Sequence, residues 1–262
     1  MTRSFGYLGA LIATNLRAGF ARPGPASMQL VLMAVNNLIF FVVWALYFDR
    51  FPNLRGWGQA DVAMLYGVAA FGFGVSVALA GGVRDLARTI VDGGLDVHLG
   101  RPRHPLPSLL MSRSIPAGFG DAASALVLWL WIGDRSLSDL PILVGLSIAG
   151  GVVMLASIAI AQCAVFWWPG ALKLADQFWE VTVMISVSPQ HVFGSGVRLV
   201  LFTLLPVAFM SQVPVEAVRE ADPWKALSVV AAAIVYAIPP LLIYYGVRRK
   251  MHGGLTMGGV KG

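Results

Sequence analysis

At 262 residues, with 57% of them apolar, 12% charged and a mean hydropathy of +0.74, the chain has too little polar surface to cover a soluble globule of its size and reads as a membrane protein. The net charge of +6, from 19 Lys and Arg against 13 Asp and Glu, then points to basic residues gathered on one side of a bilayer rather than to a nucleic-acid surface. One cysteine, Cys163, excludes an internal disulfide, and the histidines at 98, 104, 191 and 252 lack metal-ligand spacing.

Residues 1–24 place Phe5, Leu8, Leu11, Ile12, Leu16 and Phe20 mostly three or four apart, with Arg3, Thr14, Asn15, Arg17 and Arg22 leaving a polar side. That spacing predicts an amphipathic helix lying at the membrane surface, ended by Pro23-Gly24-Pro25. A first span is expected over about 28–48; at 1.5 Å per residue it covers about 31 Å, enough for the hydrocarbon core. Asn36 and Asn37 sit near its middle, where an amide is expected to hydrogen-bond a neighbouring helix. A second span over about 61–83 carries Gly67, Gly72 and Gly74, small residues that let helices approach closely.

The segment 84–107, RDLARTIVDGGLDVHLGRPRHPLP, is the longest charged and turn-rich interruption in the chain, and it must lie in water. Its first part is helix-compatible, and Gly93-Gly94 is expected to stop that helix. A third span follows over about 112–132, with Asp121 in its first half, where a carboxylate needs a partner from another helix because Arg113 is two turns away. A fourth, about 140–166, contains the polar Gln162 and ends at Trp167-Trp168-Pro169-Gly170. Residues 172–187, with Lys173, Asp176, Trp179 and Glu180, read as a surface or partly inserted helix. A fifth span, about 197–212, is short and broken by Pro206; residues 213–223 read as an acidic outer loop; a sixth span, about 224–247, is interrupted by Pro239-Pro240 and ends at Arg248-Arg249-Lys250.

The expected fold is therefore all-α, a single polytopic domain over 1–262. With both termini inside, inner segments hold fourteen Lys and Arg and outer loops five, so the positive-inside rule places both ends in the cytoplasm and segment 84–107 with them. No glycine-rich phosphate loop precedes any lysine, and no nucleophile elbow or zinc motif occurs, so the chain reads as neither an ATPase nor an intramembrane enzyme. No cofactor and no nucleic acid are expected.

The run Ile90-Val91-Asp92-Gly93-Gly94-Leu95-Asp96-Val97-His98-Leu99, followed by Arg101-Pro102 and Pro105-Leu106, resembles a signature of type-2 ABC exporter permeases, an isoleucine, two residues, then Gly-Leu-Asp, two residues, a leucine and a proline. More narrowly it resembles the subfamily labelled an uncharacterised ABC transport system permease. Val43-Trp44, Gly120-Asp121, Ser188-Pro189, Arg198, Pro206 and Pro214 are similar to further points of the family pattern, while Val97-His98 replaces its usual tyrosine. The resemblance implies six spans, a second permease subunit in a homo- or heterodimer, and a pair of separate ATPase subunits that bind ATP and Mg. It also makes 84–107 a cytoplasmic coupling segment. On that reading Leu95 and Leu99 supply an apolar contact to the ATPase, Arg88, Asp92 and Asp96 face its polar groups, and Gly93 and Gly94 form the turn. With no organelle signal read in the sequence, the expected site is the plasma (inner) membrane. Asn36, Asn37, Asp121 and Gln162 remain as buried polar candidates. The alternatives are a proton-coupled carrier using Asp121, or a membrane scaffold that transports nothing.

Overall fold

The computed structural model describes residues 2–54, 56–94, 105–132, 137–189, 194, 196–197, 199–200 and 205–258. Among these the secondary structure is helical, apart from an isolated antiparallel bridge between Leu54 and Trp57. Four helical stretches are long and apolar enough to cross a membrane: Pro23–Arg50, Gln59–Val91, Leu140–Phe166 and Pro223–Gly246.

Helix α1 (Thr2–Gly19) has the amphipathic spacing its sequence suggests, but its polar side is not simply solvated. Asn15 Nδ2 donates to the Met111 carbonyl at 2.7 Å, and the Phe20 ring lies 5.7 Å from that of Phe119. Pro23-Gly24-Pro25 does not turn the chain. It forms the first turn of α2 (Pro23–Arg50), where a proline has no intrahelical donor to lose.

Helix α3 (Gln59–Ala80) is the centre of the bundle, and every residue from Val62 to Ala70 is buried. It begins where the Gly58 amide donates to Asp61 Oδ2 at 2.9 Å. It runs through a 3-10 turn, Gly81–Asp85, into the short α4 (Leu86–Val91). After α5 (Pro105–Leu110), the third apolar helix is α6 (Ala117–Val127), which continues as a π-helical turn, Leu128–Ile132. Residues 113–115 are not helical, so this helix starts later than the expected span and reaches about 24 Å.

Helix α7 (Leu140–Cys163) crosses α3 at Gly72 and Gly151, where a Cβ on either residue would overlap the other helix's backbone. Only glycine permits that approach, and it brings α3 and α7 into backbone contact. Helix α8 (Leu172–Ser186) is amphipathic: Ala175, Trp179, Thr182 and Ser186 are buried, while Lys173, Asp176 and Glu180 are exposed.

The stretch read as an outer loop after 212 is instead helical. A π-helical turn, Ala208–Gln212, passes into α9 (Val213–Arg219), and Val207, Ala208, Met210, Val213, Val215 and Ala217 are buried. The acidic residues that suggested a loop are answered locally: Lys225 Nζ meets Glu216 at 3.0 Å and Glu220 at 2.8 Å. Helix α10 (Pro223–Gly258) continues through Pro239-Pro240 without a break.

Burial is uneven. The apolar windows of α3 and α7 are 72% and 61% buried, those of α2 and α10 only 11% and 22%. Helices α2 and α10 therefore present apolar faces outward, on α2 including Val31, Leu38, Val42 and Leu46.

Candidate functional site

Two polar centres interrupt the apolar bundle. The first joins α2, α3 and α6. Asn37 Nδ2 donates to Asp121 Oδ1 at 2.7 Å and to Ser124 Oγ at 2.8 Å, and Asn37 Oδ1 accepts from the Tyr66 hydroxyl at 3.2 Å. The Ser124 hydroxyl then donates to the backbone carbonyl of Asp121 at 2.8 Å. One amide thus uses both of its protons and its oxygen to hold three helices, and Asp121 is only 2% exposed. Asp121 Oδ2 has no hydrogen-bond partner among the described residues. The Asp121 residue is part of the wall of a cavity of about 790 Å³ between α2, α3, α6 and α8.

The second centre mounts α4. The Ala87 amide donates to Gln162 Oε1 of α7 at 3.0 Å, and Gln162 is 1% exposed. This bond supplies a partner to an amide in the first helical turn, where intrahelical acceptors are missing. Below it, Ala87 packs with Val165, Ala171 and Ala175, which belong to the end of the α7 stretch, the Pro169–Ala171 turn and α8. Charged groups ring the contact: Arg113 pairs with Asp85 at 2.8 Å, Arg88 approaches Asp176 at 3.9 Å, and the Arg84 guanidinium lies 4.8 Å from the Trp179 ring centroid. A polar cavity of about 360 Å³ lies among them.

Within the segment read as a coupling element, α4 is therefore held on three sides: covalently by α3, through Gln162 by α7, and through Ala175 and Asp176 by α8. Displacing α4 as a rigid body requires these elements to follow or the contacts to break. Arg88 and Asp92 stand on its exposed side. Gly93 has φ +73°, a conformation that side chains disfavour, whereas Gly94 does not, so the turn rests on Gly93 alone of the expected pair. Leu95, Asp96 and Leu99 lie outside the described residues.

Of the buried polar candidates, Asn37 and Asp121 come together, Asn36 is exposed at the edge of the larger cavity, and Gln162, on α7, bonds α4 instead. Sequence reading missed Tyr66 and Ser124. Ser124 had a signal, lying one helical turn from Asp121; Tyr66 had none, because only the crossing of α2 and α3 brings it to Asn37. It also missed Arg84 on Trp179 and Arg113 on Asp85, pairs that form across elements remote in sequence.

The profile of the family described as ABC-2 family transporter protein matches residues 32–252, most of the chain, from within α2 through α9 and into α10. No curated protein and no solved structure matches the chain.

Proposed function

Because the chain belongs to the ABC-2 transporter family and carries helices able to cross a membrane, making it a membrane component of an ABC transporter, we propose that it is the permease subunit of an exporter whose energy comes from a separate ATPase acting through α4. The observation that carries this reading is the mounting of α4 on α3, α7 and α8 through the buried Ala87–Gln162 bond and the surrounding ion pairs. A short helix so fastened passes a push to two long apolar helices at once, and its outer side offers Arg88, Asp92 and the Gly93 turn to a partner.

In the full proposal the chain forms six spans. Helices α2, α3, α7 and α10 supply four; the shorter α6 and the stretch at about residues 197–212 supply the others. Both termini and α4 face the cytoplasm of a plasma (inner) membrane. A second permease subunit covers an outward apolar face, and two ATPase subunits bind ATP and Mg and dock below, with Leu95, Asp96 and Leu99 contributing to that contact. Domain extent 1–262 belongs to the same reading.

The deciding experiment is purification in mild detergent from cells that also express a candidate ATPase, asking whether the ATPase co-elutes and whether Asp96→Ala abolishes co-elution at unchanged permease abundance. Co-elution lost in the variant is the expected result. An ATPase that never associates with the wild type removes the reading. Topology is checked separately by impermeant labelling of single cysteines in a Cys163→Ser background: a cysteine at 135 should label in intact cells and one at 101 should not.

A further inference from the structure

The larger cavity has a chemistry that the coupling mechanism does not use. Its walls combine four aromatic side chains, Phe40, Tyr66, Phe73 and Trp179, with two carboxylates, Asp121 and Glu180, and no Lys, Arg or His is among the described residues that line it. At about 790 Å³ it lies within the roughly 300–1,000 Å³ typical of sites for drug-sized ligands. Its wall includes Asp121, a residue only 2% exposed whose Oδ2 has no hydrogen-bond partner among the described residues. A carboxylate kept in an apolar bundle is costly, and the Asn37 amide meets only one of its two oxygens. Aromatic faces attract cations, and a cation beside a buried carboxylate offsets the cost of keeping it charged.

We propose that this cavity binds a lipophilic organic cation, with the Asp121 carboxylate in its wall as counter-charge and the Phe73 and Trp179 rings against its apolar body. The exposed Asn36, Phe40 and Met184 flank the cavity edge and give a route of entry between α2 and α8. Glu180 and Trp179 also line the smaller polar cavity around α4, so an occupant would touch the helix that α4 itself contacts. This deepens the permease reading by naming a substrate class, but the binding itself needs no ATPase.

The test uses the full-length protein in nonionic detergent and two probes of nearly equal size and opposite charge, tetraphenylphosphonium and tetraphenylborate, followed by equilibrium dialysis. The wild type should bind the phosphonium saturably at one site and the borate at none. Asp121→Asn keeps an oxygen to accept the Asn37 hydrogen bond while losing the charge, and should weaken phosphonium binding by about tenfold or more, as expected for loss of a desolvated charge pair. Equal Kd values for the wild type and D121N would overturn the proposal, as would borate binding that is equally tight and displaced by phosphonium. Should D121N fail to fold, the comparison of the two probes on the wild type decides by itself. Failure of ATPase association, with phosphonium binding intact, would count against the coupling reading alone.

Discussion

The Asn37 centre and the Gln162 centre are both single buried amides in an apolar bundle, yet they fasten different things. Asn37 ties three long helices to one another through three side-chain hydrogen bonds. Gln162 makes one bond, to the backbone of a six-residue helix. The first is a knot within the scaffold; the second fastens one short helix to it, the helix that the proposed coupling would move. Removing each should therefore give different phenotypes, and the contrast orders the expected effects.

Asn37→Ala should be the most damaging. Interhelical hydrogen bonds in membranes contribute about 0.6 to 1.7 kcal/mol each, so three amount to about 2 to 5 kcal/mol. The expected outcome is a large fall in melting temperature in detergent and in recovered protein. Asn37→Asp keeps acceptors but places a second carboxylate against Asp121, and should not rescue. Melting of Asn37→Ala at the wild-type temperature would show that the three helices are held by packing alone.

Gln162→Leu comes next. It leaves the Ala87 amide without its acceptor, at about 1 to 3 kcal/mol for a buried polar group. Because that cost falls on α4, hydrogen exchange at residues 86–91 should speed up by about tenfold to a hundredfold while α3 and α7 keep their protection. Equal acceleration throughout the bundle would mean that Gln162, like Asn37, belongs to the scaffold.

The difference between these centres was only half legible in the sequence. Asn37, Asp121 and Gln162 announce themselves as polar residues in apolar runs, and the helical character of the chain follows from its composition. Which of them pair depends on crossings that no local pattern records: Asp121 reaches Asn37 because α6 packs on α2, whereas Gln162 meets Ala87 because α4 packs against the end of α7. The small-residue runs foretold close packing, and Gly72 against Gly151 shows it. Charge misled at 213–222, where Glu216 and Glu220 resembled loop residues; Lys225, from the next helix, pairs with both, and Val213, Val215 and Ala217 are buried. Proline misled at 23–25, since a proline at a helix start marks an opening as readily as an end.

Gly93→Val sharpens the contrast from the mount's outer end. A β-branched residue at φ +73° costs about 1 to 2 kcal/mol locally, and the site is exposed with nothing within 4 Å of a new Cβ. Global melting should hold while co-elution of the ATPase falls. Gly94→Ala, where no positive φ is required and only the Thr89 methyl must shift slightly, should retain both. If the two variants behave alike, the turn is not what presents this segment.

The smallest effect is expected at Arg88. Its contact with Asp176 is long, at 3.9 Å, and both side chains are at least half exposed, 63% and 50%. Exposed pairs contribute about 0 to 1 kcal/mol, and this geometry belongs near the bottom of that range. Arg88→Ala should therefore leave the melting temperature within error and the exchange of residues 86–91 unchanged, because Gln162 and the Ala87 packing still hold α4. Any loss must then appear as weaker ATPase association, measured by pull-down, with the charge-reversed Arg88→Glu weaker than the alanine variant. A marked drop in melting temperature for Arg88→Ala would instead place this arginine in the mount, and the division between a fixed inner side of α4 and a free outer side would be lost.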